Sequence, residues 1–107
     1  MTQTLTALAE ILEDISRRYA ETFSIERDGD WFALKLQEEV GELTAAWLRA
    51  TSRSRRASDD DENFQNLGDE IADVIGHALL MARHNGIDID AAIARKWLVY
   101  QAREQQP

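Results

Sequence analysis

Cysteine is absent from this 107-residue chain. Disulfides, thiolate metal sites and a cysteine nucleophile are therefore excluded. Proline is nearly absent too. Its single occurrence is Pro107, so no interior proline interrupts a helical pattern. No window approaches the roughly 18 apolar residues that a membrane span requires. Met1 to Leu5 show no basic segment followed by an apolar run, so no signal peptide is expected and a cytoplasmic setting is. No stretch alternates apolar and polar residues long enough to make a strand. Positive charge is in short supply, with 12 Lys and Arg against 20 Asp and Glu, a net −8. That balance disfavours nucleic-acid polymers and anionic membranes as partners. It also means that handling a polyanionic small molecule would take a mediating cation.

What is present is a single-domain length with 44% hydrophobic residues, enough for a globular fold but with a thin margin for a monomer. The periodicity predicts an all-α chain of four helices, one domain over residues 1–107. The first covers about 5–20, capped by Thr2 or Thr4, with Leu5, Leu8, Leu12, Ile15 and Tyr19 on its core stripe. Asp28-Gly29 marks a turn. The second helix starts near an Asp30 cap and runs to about Arg49. Leu36, Val40, Leu43 and Trp47 form its stripe, and Leu34 and Leu48 broaden it. Residues 51–62 read as a mobile, solvated linker, basic first and acidic after. The third helix covers about 63–85, with Leu67, Ile71, Val74, Ala78 and Met81 inward, and Asn85-Gly86 ends it with a left-handed cap. The fourth begins after Asp88 or Asp90 and ends near Arg103. Helix 2 is apolar on more than one side, which a chain this small cannot cover alone, so a second subunit is expected to complete the core.

Two acidic clusters stand out on these helices: Glu38-Glu39-x-x-Glu42 and Glu70-x-x-Asp73. Residues three or four apart on a helix differ by only about 60° or 40° around its axis. Glu39 and Glu42 therefore share one side, as do Glu70 and Asp73. If the two helices face each other, four carboxylates converge, and acids that close repel and protonate unless a cation neutralises them. All-oxygen donors suit a hard divalent ion, Mg²⁺ first, with Mn²⁺ as a substitute. Such an ion neutralises phosphate charge and activates water, which is what attack on a phosphoanhydride needs. Glu38, about 100° from Glu39, is the candidate base. Taken singly, each cluster reads as an ordinary solvated face, with Lys35 pairing to Glu39. Two clusters on two long amphipathic helices favour the metal reading. Gly41, Gly68 and Gly76 beside the acids suggest close helix approach or room for a ligand.

The segments Lys35-Leu36-Gln37-Glu38-Glu39-Val40-Gly41-Glu42-Leu43 and Leu67-Gly68-Asp69-Glu70-Ile71-Ala72-Asp73-Val74 resemble, in order, the EExxE and ExxD motifs of MazG-type nucleoside triphosphate pyrophosphohydrolases. The resemblance covers helices 2 to 4. It implies an all-α, four-helix fold and Mg²⁺-dependent cleavage between the α and β phosphates, giving a monophosphate and pyrophosphate. It implies metal ligation by Glu39, Glu42, Glu70 and Asp73, with Glu38 nearby as base. A lysine followed by an asparagine in the last helix often reaches phosphate in this family. Lys96 matches the lysine, whereas Tyr100 stands in place of the asparagine, with Arg103 after it. The resemblance also implies a homodimer or a dimer-based tetramer.

Two rival readings stay open. One is a phosphoribosyl-ATP pyrophosphohydrolase on a related fold, with a bulkier substrate. The other is a non-catalytic helical module whose acidic faces are solvated. Among the remaining residues, Trp31 at the start of helix 2 is the tryptophan freest to meet a nucleobase, while Trp47 and Trp97 read as core. Lys35 and Lys96 are candidate substrate contacts. Arg49, Arg53, Arg55 and Arg56 read as solvated. His77 lies one turn beyond Asp73, which invites a metal role, but a di-iron bundle needs Glu-x-x-His twice and neither cluster supplies it, so packed or solvated is the favoured reading of this histidine over contact with metal or substrate.

Overall fold

A computed structural model describes residues 4–51 and 60–101. Among these the chain is all-α: α1 Leu5–Thr22, α2 Gly29–Ala50, α3 Asp60–His84 and α4 Ile89–Lys96, followed by a 3₁₀ turn at Leu98–Tyr100. None of the helices is long and apolar enough to cross a membrane.

The start of each of three helices is fixed by a side chain three residues upstream of the amide it accepts. Thr4 Oγ1 accepts from Ala7 N at 3.0 Å, Asp28 Oδ1 from Trp31 N at 2.8 Å and Asp88 Oδ1 from Ala91 N at 3.0 Å. These are N-caps satisfying amides that lack an intrahelical partner. Asp28, rather than Asp30, thus begins α2, because the shorter reach from Asp28 catches the first turn while Asp30 already lies inside it. Helix α3 begins at Asp60, three residues earlier than the periodicity suggests, so residues 60–62 belong to it. The rest of the expected linker, residues 52–59, lies outside the described residues.

Two helices end in the same way. Ile87 N reaches Ala82 O at 2.9 Å and Gly86 N reaches Arg83 O at 3.1 Å, with Gly86 at φ +66°. Ile25 N reaches Ala20 O at 2.8 Å and Ser24 N reaches Glu21 O at 3.4 Å, with Ser24 at φ +55°. Both are Schellman closures. Only the first carries the glycine that makes it visible in a sequence. The fourth helix is shorter than expected: its regular part stops at Lys96, where Trp97 adopts φ −120° and the chain tightens into the 3₁₀ turn. Arg103 lies outside the described residues.

The chain divides into two compact units. The first contains α1, the end of α3 from Leu79, α4 and the 3₁₀ turn. Ala9, Ala20, Leu79, Leu80 and Ala82 are its buried apolar residues. Asp90 of α4 binds the start of α1, accepting from Leu5 N and Thr6 N at 3.0 and 2.9 Å. Arg83 Nε pairs with Glu10 at 3.0 Å. The expected stripe of α1 is only half right. Leu5, Leu8 and Leu12 are half-buried, while Ile15 and Tyr19 are exposed together with Ile11 and Phe23. Ala9 and Ala20 define the inward side, and the four larger residues lie along another line of the helix.

The second unit, Glu26–Ala78, consists of α2 and the preceding part of α3. Phe32, Ala46 and Asn63 are buried here, with Leu36, Leu43, Leu67 and Val74 half-buried. Val40, Trp47, Leu34, Leu48, Ile71 and Ala78, expected inside, are exposed, as is Trp97 in the other unit. The reason in α2 is rotational. The inward side is set by Phe32, Leu36, Leu43 and Ala46, and Trp47 lies about 100° from Ala46. In α3 the polar line Asn66, Glu70 and His77 is as sheltered as the apolar line Leu67 and Val74.

Candidate metal centre

Helices α2 and α3 run antiparallel within this unit. Asn63 Nδ2 donates to Arg49 O at 3.3 Å near one end, Glu39 meets His77 in the middle, and Trp31 lies against His77 toward the other end. This pairing turns the two acidic clusters toward each other. One carboxylate oxygen from each of Glu39, Glu70 and Asp73 lies within 4.8 Å of the others. Glu39 is 13% exposed, Glu70 is half-buried and Asp73 faces solvent. Glu42 does not join the group. It is exposed, but its charge is felt at Glu70.

The electrostatics record the crowding. Burial pushes the Glu70 carboxyl above its ordinary value of 4.5, and the charges of Asp73, Glu39 and Glu42 push it further, against a smaller opposing pull from Arg49. Its Oε2 is buried without a hydrogen-bond partner among the described residues. A buried carboxylate oxygen with no donor is costly. A divalent cation would supply a partner, and three hard oxygens within 4.8 Å of one another are a fitting donor set.

The other expected site residues fall as follows. Lys35 Nζ is 3.3 Å from Glu38 Oε1 and 3.8 Å from Glu39 Oε1. Glu38 is 59% exposed and lies outside the three-carboxylate group. Trp31 is half-buried, packed edge-on against Phe32 at 5.0 Å and His77 at 6.2 Å between ring centres. Lys96 is exposed at the end of α4, in the other unit. Among the described residues nothing lies within 4 Å of where a Cβ would stand at Gly41 or Gly68, so neither marks a close helix approach there.

Two features escaped the sequence reading. His77 lies beside the carboxylate group: its Nε2 is 3.9 Å from Glu39 Oε1, its Nδ1 is buried without a hydrogen-bond partner among the described residues, and burial holds the imidazole below its ordinary value of 6.5. The signal was its place on one helical line with Glu70 and Asp73. Asn63 is buried and ties α3 to the last turn of α2, and nothing in its local sequence announces that.

An all-α chain that faces an EExxE helix with an ExxD helix has the form of a phosphoanhydride hydrolase. The chain belongs to the phosphoribosyl-ATP pyrophosphohydrolase family, which it matches over residues 5–95. That family falls within the MazG-like all-α nucleoside triphosphate pyrophosphohydrolases, so the enzyme class is a pyrophosphohydrolase. The match is to the family that the sequence raises as an enzymatic rival, not to MazG itself. Searches of curated proteins and of solved structures returned no match.

Proposed function

We propose that this protein is a Mg²⁺-dependent pyrophosphohydrolase, with Mn²⁺ as a substitute ion, that splits the α–β phosphoanhydride of nucleoside or deoxynucleoside triphosphates. The products are a nucleoside monophosphate and pyrophosphate. The observation that carries the reading is the buried, unpartnered Oε2 of Glu70 beside Glu39 and Asp73. Glu39, Glu70 and Asp73 would hold the ion, with Glu42 joining them by a side-chain rotation. When bound, Mg²⁺ neutralises phosphate charge and activates water.

The chain's own residues then divide the remaining work. Glu38 Oε1 is held by Lys35, which leaves Oε2 to take the proton of the attacking water. The water oxygen bonds to phosphorus, the bridging bond between the α and β phosphates breaks, and pyrophosphate departs. Lys35 Nζ touches both carboxylates of the Glu38-Glu39 pair and would present positive charge to the substrate's phosphates. Trp31, braced on Phe32, would offer an aromatic face to the base. Lys96 is assigned to phosphate by resemblance alone.

We further propose that the chain acts as one domain and assembles as a homodimer or a dimer-based tetramer in the cytoplasm. The exposed apolar residues of α1, α2 and α3 support association, since a monomer rarely leaves so many large apolar side chains in water.

The family match favours a second reading of the substrate, phosphoribosyl-ATP, which carries the same triphosphate chain on a bulkier nucleoside. One experiment addresses both. The purified chain is incubated with Mg²⁺ and a panel of ribo- and deoxyribonucleoside triphosphates together with phosphoribosyl-ATP, and the products are resolved. Monophosphate plus pyrophosphate supports the chemistry, and the preferred member identifies the substrate. Orthophosphate plus diphosphate, or no turnover of any member, refutes it.

A further inference from the structure

We propose that His77 is a positioning residue that sets the Glu39 carboxylate for cation binding, an inference that rests on the metal-centre reading above. Two side chains converge on one oxygen of Glu39. Lys35 Nζ approaches Oε1 at 3.8 Å from the preceding turn of α2, and His77 Nε2 approaches the same Oε1 at 3.9 Å from α3. Lys35 divides its charge with Glu38 at 3.3 Å and is the more exposed of the two, 31% against 19% for His77. His77 therefore supplies the contact from the sheltered side.

The imidazole is itself braced. Its ring lies 6.2 Å from that of Trp31 in an edge-on arrangement, and Trp31 stands edge-on to buried Phe32 at 5.0 Å. Phe32, Trp31, His77 and Glu39 form one line of support from core to carboxylate. The other ring nitrogen, Nδ1, is buried and has no hydrogen-bond partner among the described residues. A neutral imidazole carries one N–H, and the Glu39 carboxylate that could receive it faces Nε2. The separation of 3.9 Å exceeds the hydrogen-bond range of about 3.2 Å by less than 1 Å, a gap that a small side-chain rotation closes. With Oε1 facing His77 and Lys35, the second oxygen of Glu39 would be left for the ion. Partners behind a ligating group typically change metal affinity by about 10–100-fold when removed.

The test is Mn²⁺ binding to the full chain, followed by calorimetry at constant pH, for wild type, His77→Gln and His77→Leu. Glutamine places an amide N–H where Nε2 stands, whereas leucine fills space without a donor. The expected result is a 10–100-fold weaker Mn²⁺ affinity for the leucine variant and near-wild-type affinity, within about threefold, for the glutamine variant. Equal affinity in wild type and His77→Leu overturns the inference, and so does equal weakening in both variants, which would assign His77 to shape alone. Should His77→Leu fail to fold, His77→Asn replaces it. Its shorter amide mimics the other nitrogen, so it is expected to bind as weakly as leucine, and affinity equal to that of glutamine overturns the inference. Absence of saturable Mn²⁺ uptake by the wild type is a different result, and it rejects the metal centre itself.

Discussion

Asp90 Oδ1 accepts a hydrogen bond from Leu5 N at 3.0 Å, joining positions 85 residues apart. Oδ2 accepts from Thr6 N at 2.9 Å, so one carboxylate covers two of the open amides at the start of α1. The Thr6 hydroxyl contributes most, followed by the Thr6 and Leu5 amides, to holding this carboxyl below its ordinary value of 3.8. A depressed acid stabilises the folded state above its unfolded value and loses that contribution as pH falls through the lower folded value. Asp90→Ala is expected to lower Tm by a few degrees at pH 7, and the gap to wild type should close toward pH 3. Thermal melts across that range check both, and a gap independent of pH would contradict the assignment.

Glu39→Gln and Asp73→Asn each remove one donor from the carboxylate group without changing shape. Turnover should drop by at least about 10³-fold, since the ion's stabilisation of developing charge is worth several kcal/mol. Circular dichroism should be unchanged. Wild-type rates in either variant would remove that residue from the mechanism.

Glu70→Gln should separate stability from function. The folded-state carboxyl is raised above 4.5, so its favourable contribution exists below that value and is lost as pH rises through the raised one. In EDTA at pH 7 the variant is expected to melt a few degrees above wild type, with the difference shrinking toward pH 4. Saturable Mn²⁺ binding should be lost. A variant less stable than metal-free wild type at pH 7 would mean that Glu70 is not strained there.

Ile11, Ile15, Tyr19 and Phe23 follow one another at intervals of four along α1, and each is between 49% and 60% exposed. Residues so spaced share a face. If this face joins two copies, the wild type should run larger than a monomer in light scattering, and Ile15→Asp or Tyr19→Asp should shift it to a smaller species with helix content retained. An unchanged mass would move the contact to another surface.

Ser24 holds φ +55° at the end of α1, where glycine is the residue without a steric penalty. Ser24→Gly is expected to stabilise the chain by about 1 kcal/mol, or about 4 °C in Tm. A loss of stability would mean that the hydroxyl contributes more than the strain costs.

Much of this was readable from local pattern. The helices, the Gly86 stop and the acidic spacing all follow from residues within a turn or two of one another. The Ser24 closure was not, because a left-handed serine has no compositional mark. Which side of α3 is sheltered was not either. Leu67, Ile71 and Val74 form the more apolar line, yet Ile71 is exposed while Glu70 and His77 are as sheltered as Leu67 and Val74, because the pairing of two helices, not the hydropathy of one, decides rotation. Glu42 illustrates the same limit. Periodicity puts it beside Glu39, but one turn of α2 carries it beyond the group that Glu39 forms with Glu70 and Asp73.

The upstream caps Thr4, Asp28 and Asp88 have a common corollary. Each reads an amide only three positions away. The starting points of α1, α2 and α4 are therefore marked by short-range closure. Where each of these helices begins is thus a local matter, while the side each one turns inward is left to the helix it pairs with.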